Sequence, residues 1–376
     1  MSALTEVPNT KLKVGILGAT GTVGQRFIQL LADHPYFEIH VLAASSRSAG
    51  KPYAEVTKWK QQTLIPPHIA SKIVQECAVD APGMRECAVI FSGLDSDVAD
   101  IIEPALRQAE LVVFSNAKSY RRDPIVPLMV PLVNTDHFSV VPHQRKTLSL
   151  EKGYIVTNAN CSTTGLVIPL AALERAFGPL QTVLVTTLQA ISGAGYPGVS
   201  SMDIIDNVVP YIGSEEEKIE WETSKILGGV LPDQTGFEYH ASSPLTVSAH
   251  CNRVPVIDGH LACVSVKFSR QPAPSAEEIR SALEAYTCEA QEIEQSISGM
   301  VPSAPKRAIV YHEAQDRPQP RLDRDLENGA CVSVGRIRKC NVLDVKFVTL
   351  VDNVRLGAAT SSVINAEVGV AKGFIV

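Results

Sequence analysis

The stretch GATGTVG, residues 18–24, lies between a short β-rich run at 11–17 and an apolar helical pattern at 22–34. A glycine turn in this position lets backbone amides approach a pyrophosphate, and the helix N-terminus behind it adds partial positive charge. A second apolar run at 39–44 follows at the distance expected of a βαβ unit. This order of elements predicts a dinucleotide site rather than a tight turn without a ligand, although the spacing is GxxGxxG instead of GxGxxG.

Strands and helices continue to alternate beyond this unit. Apolar runs at 88–91 and 111–114 flank a helical pattern at 96–108. Alternation of this kind is typical of a doubly wound α/β fold with a parallel sheet. We therefore predict a Rossmann-type nucleotide-binding domain over residues 1–157.

The pattern changes after about residue 154. Longer β-rich runs now alternate with charged helical patterns, the runs at 182–190, 245–251, 262–268 and 342–350 and the helices at 215–227 and 276–288. This predicts an α+β catalytic and dimerisation domain over residues 158–353, with a mostly antiparallel sheet. The last helical pattern, at 356–372, is expected to pack back on the first domain, so that residues 354–376 complete it.

The composition limits the possible functions. The 376 residues are 45% hydrophobic and 20% charged, with a formal net charge of −6. A chain of this length is expected to form two domains, and an acidic chain without a large basic face is not expected to bind nucleic acid. The sequence lacks both the ~20 consecutive apolar residues of a membrane span and the apolar core of a secretion signal. Eight scattered cysteines, without zinc-type spacing, indicate reduced thiols, a cytoplasmic protein and no metal site.

One cysteine has a distinctive context. Cys161 lies in NANCSTTG, residues 158–165, after a β-rich run at 154–157 and before an apolar helical run at 166–177. A thiol at a helix N-terminus is expected to have a lowered pKa, and the free amides there can hold an oxyanion. We therefore predict that Cys161 is a nucleophile.

A candidate base and a candidate cation occur together in HCNRVPVIDGH, residues 250–260. If the two β-rich runs form a hairpin around the Pro/Asp/Gly turn, Arg253 lies opposite His260, with Cβ atoms ~5 Å apart. Arginine can bind a carboxylate, and histidine can move protons near neutral pH. His260 alone would be an ordinary surface histidine, so the prediction depends on the pairing.

The loop after the second strand bears on the choice of cofactor. NAD sites usually place an acid here to bind the ribose 2′-hydroxyl. This sequence has Ser45, Ser46, Arg47 and Ser48 instead. Hydroxyls and an arginine suit a 2′-phosphate, so we predict NADP, with a merely solvated loop as the alternative.

Six motifs together resemble the aspartate-semialdehyde dehydrogenases, close to the branch found in fungi and archaea. They are GATGTVG (18–24), SNAKSYR (115–121), NANCSTTG (158–165), LQAISGAGYPG (188–198), SEEEKIEWETSKIL (214–227) and CNRVPVIDGH (251–260). In this order they span nearly the whole chain, and their combination is highly specific. The resemblance implies NADPH-dependent reduction of L-aspartyl 4-phosphate to L-aspartate 4-semialdehyde, with release of inorganic phosphate, through a thioester on Cys161. This step belongs to the aspartate pathway to threonine, methionine and, in some organisms, lysine.

The resemblance also implies a role for each matching residue. Catalysis would depend on Cys161, on His260 as acid/base and on Gln189, which would orient the substrate. The substrate would be bound through its carboxylate by Arg253, through its phosphate by Asn160, Arg121 and Lys218, and through its ammonium by an acid within 215–217, of which Glu216 is preferred.

The implied cofactor site combines the glycine turn, the 2′-phosphate loop and residues near the nicotinamide. Its members are Gly18, Thr20, Gly21, Thr22, Val23, Gly24, Ser45, Ser46, Arg47, Ser48, Ser92, Gly93, Ser192, Gly193 and Asn353. The glycine-rich loop at 193–198 would lie over the nicotinamide, and Asn353 would approach its carboxamide. The resemblance further implies a homodimer or homotetramer.

Three other functions fit parts of the pattern. N-acetyl-γ-glutamyl-phosphate reductase shares the domain plan and chemistry, but its cysteine typically lies in a context such as PGCYPT. In glyceraldehyde-3-phosphate dehydrogenase the histidine follows the cysteine much more closely than His260 follows Cys161. A catalytically inactive NADP-binding regulator would not need the combination of Cys161, Gln189, Arg253 and His260.

Overall fold

The computed structural model describes residues 4–376, so the first three residues of the predicted domain 1–157 lie outside it. Over the described range the chain forms one sheet of seven strands and one of six. Within the same range, the chain has no helix with the length and apolar character required to cross a bilayer.

The first sheet is built from the N-terminal half of the chain. Its strands are β1 (Leu12–Leu17), β2 (Phe37–Ala44), β3 (Gln75–Glu76), β4 (Val89–Ser92), β5 (Val112–Ser115), β6 (Leu128–Met129) and β7 (Tyr154–Asn158). They lie in the order β3-β2-β1-β4-β5-β7-β6, and every neighbouring pair is parallel. The central strands are buried on both faces, which explains why they read as continuous apolar runs. The predicted doubly wound α/β sheet is confirmed.

Five helices accompany this sheet within residues 4–158. They are α1 (Thr22–Leu31), α2 (Tyr53–Val56), α3 (Pro67–Ala70), α4 (Ser96–Gln108) and α5 (Val141–Leu148). The helix predicted at 96–108 is present with those bounds, whereas α1 ends before the predicted residue 34. The reason is His34, whose Nδ1 accepts hydrogen bonds from the backbone amides of Tyr36 and Phe37 and so turns the chain into β2.

The second half begins with a long helix and contains the second sheet. Its helices are α6 (Cys161–Phe177), α7 (Ser201–Ile204), α8 (Glu215–Leu227), α9 (Ala276–Glu284), α10 (Glu289–Ser296), α11 (Pro320–Asp323) and α12 (Thr360–Ala371). Its strands are β8 (Leu180–Gln189), β9 (Thr246–Arg253), β10 (His260–Phe268), β11 (Ile309–His312), β12 (Val332–Lys339) and β13 (Val345–Val351). The order is β11-β12-β13-β10-β8-β9, in which the two edge pairs are parallel and the three inner pairs antiparallel. The predicted mostly antiparallel sheet is confirmed.

The hairpin predicted between β9 and β10 is wrong. Strand β8 lies between them, parallel to β9 and antiparallel to β10. The connecting segment 254–259 bonds instead to the residues after β8, because the amides of Ile191 and Ser192 donate to the carbonyls of Val256 and Ile257. A Pro/Asp/Gly turn thus links two strands that are not neighbours.

The C-terminal segment returns to the first sheet. A π-helical turn, Arg355–Ala359, leads into α12, and all twelve residues of α12 are buried. Its polar residues, such as Asn365 and Glu367, are buried together with its apolar ones, and the Glu367 carboxylate accepts a hydrogen bond from Ser303 Oγ. Helix α12 packs against α1 and β5, which is the contact expected for residues 354–376. The domain bounds 1–157 and 158–353 themselves remain a prediction.

Several elements of the second half differ from the sequence pattern. The helix predicted at 276–288 ends earlier, at Glu284, and a separate helix, α10, begins at Glu289 after the extended N-cap residue Cys288. Strands β11 and β12 were not predicted. The first has only four residues, and the second lacks strict alternation because four consecutive residues from Val332 are buried.

Candidate active site

Cys161 is the first residue of α6, directly after β7 and the two residues that follow it. The preceding residue, Asn160, caps the helix: its Oδ1 accepts hydrogen bonds from the amides of Ser162 and Thr163 at 2.9 and 3.2 Å. A cap of this kind typically stabilises a helix by about 1 kcal/mol. The predicted nucleophile is therefore held at a well-defined strand-to-helix junction, and its predicted place at a helix N-terminus is confirmed.

A cleft of about 460 Å³ opens over this junction. Its walls include predicted catalytic and substrate residues from both halves of the chain, namely Arg121, Asn160, Cys161, Gln189, Gly193, Lys218 and Arg253. Two arginines, two lysines and the carboxylates of Asp95 and Glu215 therefore line a cleft that holds a single thiol. Such a set of charges suits a small substrate that carries both anionic groups and an ammonium.

Arg253, Gln189 and His260 come from three adjacent strands. Gln189, the last residue of β8, is in register with Arg253 at the end of β9, while β10 begins with His260 on the other side of β8. A Cβ on Gly193 would lie 2.9 Å from Arg253 Nη1 and 3.0 Å from His260 Nε2, so both side chains converge on this glycine. The ends of the two side chains do meet, but they reach across β8, so the predicted pairing of opposed residues with Cβ atoms ~5 Å apart is wrong.

Glu215, and not Glu216, is the acid that faces the cleft. Its carboxylate accepts hydrogen bonds from Asn160 Nδ2 at 2.9 Å, Gln189 Nε2 at 3.2 Å and Lys218 Nζ at 2.7 Å. Burial acts to raise the pKa of Glu215, but the ion pair with Lys218 and these hydrogen bonds hold it below its ordinary value. The preference for Glu216 was wrong, because the start of α8 turns that side chain toward β9, where it accepts from the amide of Cys251 at 3.0 Å.

The three residues predicted to contact phosphate lie along one side of the cleft. Arg121 is only 7% exposed. Its Nη1 bonds Glu222 at 2.9 Å and its Nη2 bonds the Asn116 carbonyl at 3.0 Å. Lys218 and Asn160 are both bonded to Glu215. The structure therefore brings these cations together and supplies each with an internal partner.

The thiol of Cys161 differs from the sequence-based expectation. Burial and the nearby Glu215 carboxylate raise its pKa to about 12. Arg121, Arg253 and the helix amide of Ser162 act in the opposite direction, but their effect is smaller. The expected lowering of the thiol pKa was wrong, because desolvation outweighs the helix N-terminus.

His260 is uncharged in the same environment. Burial and the positive charge of Arg253 lower its pKa to about 3, against a smaller opposing effect of Glu215. Its Nδ1 accepts a hydrogen bond from the Ala190 amide at 3.0 Å, so the proton of the neutral ring is on Nε2. Within residues 4–376 this buried Nε2 has no hydrogen-bond partner, which leaves it free to donate to a ligand.

The glycine turn has the geometry required for a pyrophosphate. Gly18 adopts a φ of 69°, and a Cβ on Gly24 would lie 2.3 Å from the Gly18 carbonyl oxygen, so neither position accepts a larger residue. Gly21 is the N-cap of α1, and the first turn of α1, which includes Thr22 and Val23, contains no acid. Thr20 belongs to the same turn. These open amides fit an anionic cofactor.

The loop predicted to bind the 2′-phosphate, residues 45–48, begins at the same edge of the sheet as the glycine turn. β1 and β2 are parallel neighbours, so the glycine turn after β1 and Ser45 to Ser48 after β2 begin side by side. Ser45, Ser46 and Arg47 are exposed and Ser48 is partly exposed. Their side chains are therefore accessible to a ligand.

The remaining cofactor candidates fall into two groups. Ser92 and Gly93 end β4 beside the glycine turn, where a Cβ on Gly18 would lie 2.6 Å from the Gly93 carbonyl oxygen. Ser192 and Asn353 lie near the cleft instead, and Asn353 Nδ2 donates to Ser192 Oγ at 2.9 Å. Asn353 Oδ1 accepts from the Gly259 amide, so this side chain connects the turn before β10 with the glycine-rich loop.

The sequence did not identify two residues that shape the site. Glu222 is completely buried and bonds both Arg121 and the amide of Asn160. Gly357 lies so close to the nucleophile that a Cβ there would be 2.7 Å from that of Cys161. Glu222 could have been identified from the sequence, because it lies in the SEEEKIEWETSKIL motif. No sequence pattern links Gly357 to Cys161.

Two family models match the chain on either side of Cys161. The model for the semialdehyde dehydrogenase NAD binding domain matches residues 13–141, and the model for the semialdehyde dehydrogenase dimerisation domain matches residues 170–356. The first match contains the glycine turn and the second contains Gln189, Arg253 and His260.

Relatives match over almost the full length. An aspartate-semialdehyde dehydrogenase of Cryptococcus neoformans var. neoformans serotype D is 67% identical over 368 residues, covering 98% of this chain and 99% of the relative. One of Schizosaccharomyces pombe is 56% identical over 365 residues, covering 96% and 99%. The crystal structure of aspartate semialdehyde dehydrogenase with NADP from Candida albicans has a TM-score of 0.89 at 50% identity, covering 97% of this chain and 100% of that one. This chain therefore belongs to the aspartate-semialdehyde dehydrogenase family, in the branch that contains the fungal enzymes.

Proposed function

We propose that this protein catalyses the NADPH-dependent reductive dephosphorylation of L-aspartyl 4-phosphate to L-aspartate 4-semialdehyde, through a thioester on Cys161. The observation that carries the proposal is the charge pattern around the thiol. Arg253, Arg121, Lys218 and Glu215 surround one cleft at the start of α6. The proposed substrate has a carboxylate, a phosphate and an ammonium to match them.

Each charged group of the substrate has a proposed partner. Arg253 would bind the α-carboxylate, and Arg121 and Lys218, with Asn160 beside them, would bind the phosphate. Glu215 would bind the ammonium, in place of Glu216. An N-acetylated substrate has no ammonium, so the buried Glu215 carboxylate favours aspartyl phosphate over the substrate of N-acetyl-γ-glutamyl-phosphate reductase.

The cofactor is proposed to be NADP. The open amides of the glycine turn would hold its pyrophosphate, and the exposed Arg47 with its neighbouring serines would bind the 2′-phosphate. When bound, NADPH supplies the hydride that reduces the acyl group. Ser192 and Gly193 would lie beside the nicotinamide, with Asn353 positioned by its hydrogen bonds to hold this loop.

The residues of the cleft have distinct proposed roles in the chemistry. Cys161 Sγ bonds to the acyl carbon as the acyl–phosphate C–O bond breaks, and the thiol proton leaves with the phosphate as hydrogen phosphate. Gln189, held by Thr187 and Glu215, orients the acyl group. His260 donates a hydrogen bond from Nε2 to the acyl oxygen as negative charge develops there. A neutral histidine with a lowered pKa can act as such a donor. The resemblance implies that His260 acts as both acid and base. Its neutral ring, with the proton on Nε2, supports the role of donor.

The protein is further proposed to form a homodimer or homotetramer through the outer face of the second sheet. Leu184 lies on the inner strand β8 and is 41% exposed, and Cys263 on the adjacent β10 is also exposed. The family model that covers this sheet is described as a dimerisation domain. We place the enzyme in the cytoplasm, as a biosynthetic enzyme supplying threonine and methionine.

The proposed function can be tested in the reverse direction. Purified protein should reduce NADP with aspartate semialdehyde only when inorganic phosphate is present, and much more slowly with N-acetylglutamate semialdehyde. Cys161→Ser should lose at least ~10³-fold in turnover, because an alcohol is a far poorer nucleophile without a dedicated base.

A matched control is available at Cys288. This residue is the N-cap of α10, where serine makes the same hydrogen bonds, so Cys288→Ser should retain normal turnover. Near-normal turnover by Cys161→Ser would rule out the thioester mechanism. Faster turnover of the N-acetylated substrate would rule out the proposed substrate.

A further inference from the structure

Helix α8 carries a stripe of four charged residues toward the interior. Glu215, Lys218, Glu222 and Lys225 follow one another at spacings of three or four residues, so they share one face of the helix. The first two face the cleft over Cys161. Glu222 and Lys225 are completely buried. Buried charges of this kind require specific partners.

Glu222 joins Arg121 to the helix of the nucleophile. One carboxylate oxygen accepts from Arg121 Nη1 at 2.9 Å, and the other accepts from the backbone amide of Asn160 at 2.6 Å. Asn160 immediately precedes Cys161 in the chain. A single side chain thus sets the position of a cation in the cleft relative to the reactive thiol.

Lys225 holds the main chain of the same arginine. Its ammonium donates to the carbonyl oxygens of Arg121, Asp123 and Val126 at 2.8, 2.8 and 3.0 Å. The backbone of Arg121 is therefore bound one turn along α8 from the residue that binds its side chain.

Arg121 has few alternative arrangements. It is 7% exposed, and Glu222 is the carboxylate paired with it within residues 4–376. A guanidinium has five N–H donors. Glu222 and the Asn116 carbonyl each engage one of them, and Nε is buried, so one N–H on each terminal nitrogen is left for a ligand.

We propose that Glu222 is a positioning residue for phosphate: it fixes Arg121 at a set distance from Cys161, and Lys225 supports the arrangement from behind. The inference rests on the proposed function, in which Arg121 binds the phosphate of the substrate. Glu222 has no exposed surface, so it acts through Arg121 and Asn160 and not by touching the ligand.

The test compares Glu222→Gln with Glu220→Gln in the full-length protein. Glutamine has one acceptor oxygen, so it cannot serve both Arg121 and the Asn160 amide. KM for inorganic phosphate should rise on the order of 10- to 100-fold, because misplacing a binding group by about 1 Å has effects of this size. KM for NADP should be unchanged. Glu220 is the control, since it lies on the same helix and also accepts one backbone amide, that of Ala249.

Binding of inorganic phosphate should also be measured by calorimetry, with Tm as a check on folding. Loss of phosphate affinity in folded Glu222→Gln with the KM for NADP retained supports the proposal. Unchanged phosphate affinity in this variant overturns the proposal. An equal loss of affinity for phosphate and NADP also overturns it, because Glu222 would then only support the fold. If Glu222→Gln does not fold, Glu222→Asp replaces it, and the same increase in phosphate KM is expected because the carboxylate is withdrawn by one methylene.

Failure of the proposed function gives a different result. Wild-type protein would then show no phosphate-dependent turnover of aspartate semialdehyde. The calorimetric comparison of wild type, Glu222→Gln and Glu220→Gln would still test whether Glu222 positions an anion site around Arg121.

Discussion

Cys161 illustrates how burial and local charge oppose one another at a single residue. Because its thiol pKa is raised to about 12, the thiolate is a small fraction at neutral pH. Below the pKa that fraction grows with pH, so the alkylation rate of Cys161 by iodoacetamide should rise about tenfold per pH unit between roughly pH 6 and pH 9. Mass spectrometry of the Cys161 peptide measures the rate, with Cys161→Ala as the blank. A plateau below pH 8 would show that the helix N-terminus and the arginines dominate after all.

Gly357 is a second residue whose size matters for the thiol. In Gly357→Ala the new methyl group would meet the Cys161 Cβ at 2.7 Å and its Cα at 3.2 Å, so the nucleophile must shift. We expect kcat to fall at least ~10-fold, since small displacements of reacting groups are costly. NADP affinity should be retained, as measured by fluorescence titration.

Gly369→Ala is the matched control, because its methyl group would meet the terminal methyl of Ile375 at 3.0 Å and the Phe138 ring at 3.3 Å, far from Cys161 in the chain. Equal kcat values for the two glycine variants would contradict the proposed crowding of Cys161.

At the scale of elements, the loop after β2 is expected to determine cofactor choice. Arg47 is exposed beside the glycine turn, and no acid occupies the position that usually binds a 2′-hydroxyl. Arg47→Ala should raise KM for NADP by at least ~10-fold, the loss expected for a charged hydrogen bond to phosphate, and leave KM for NAD nearly unchanged. Steady-state kinetics with both cofactors provide the measurement. An equal rise in KM for NADP and for NAD would mean that this loop does not contact the 2′-phosphate. The control is Arg85→Ala, at an exposed arginine, which should change neither KM value.

Three strands rather than one turn create the pairing of Arg253 and His260. Sequence proximity suggested a hairpin, because a Pro/Asp/Gly turn between β-rich runs usually joins neighbours. Here β8 enters between the two strands and contributes Gln189 to the same row of side chains. Strand pairing depends on the whole sheet. The local sequence from Arg253 to His260 could therefore predict that these side chains meet, but not that β8 lies between their strands.

At the scale of the whole molecule, the outer face of the second sheet should mediate assembly. Leu184 is 41% exposed on the inner strand β8, beside the exposed Cys263 of β10, so this face offers apolar groups that a second copy can cover. Leu184→Arg would place a charge in the proposed interface and should shift the protein toward monomers. Sedimentation equilibrium measures the change in oligomeric state. The control is Leu64→Arg, which should not alter the assembly, because Leu64 lies in the first half of the chain and is 90% exposed. An unchanged oligomer in Leu184→Arg would place the interface elsewhere.

The alternation of strands and helices in the first half, the glycine turn and the strand-to-helix position of Cys161 could be predicted from the sequence. These features depend on local properties: apolar periodicity, the small size of glycine and the four free amides at a helix start. The residue types of the site, including Arg121, Gln189, Lys218 and Arg253, were likewise predictable from motifs, and the structure brings them into one cleft.

Other properties were decided only by the tertiary structure. The choice of Glu215 over Glu216 depends on the rotation of α8 against β9, and the contact of Gly357 with Cys161 joins residues from distant parts of the chain. The raised thiol pKa and the neutral His260 result from burial by both halves of the molecule. Desolvation and long-range packing depend on which surfaces come together, and a linear sequence does not specify these surfaces residue by residue.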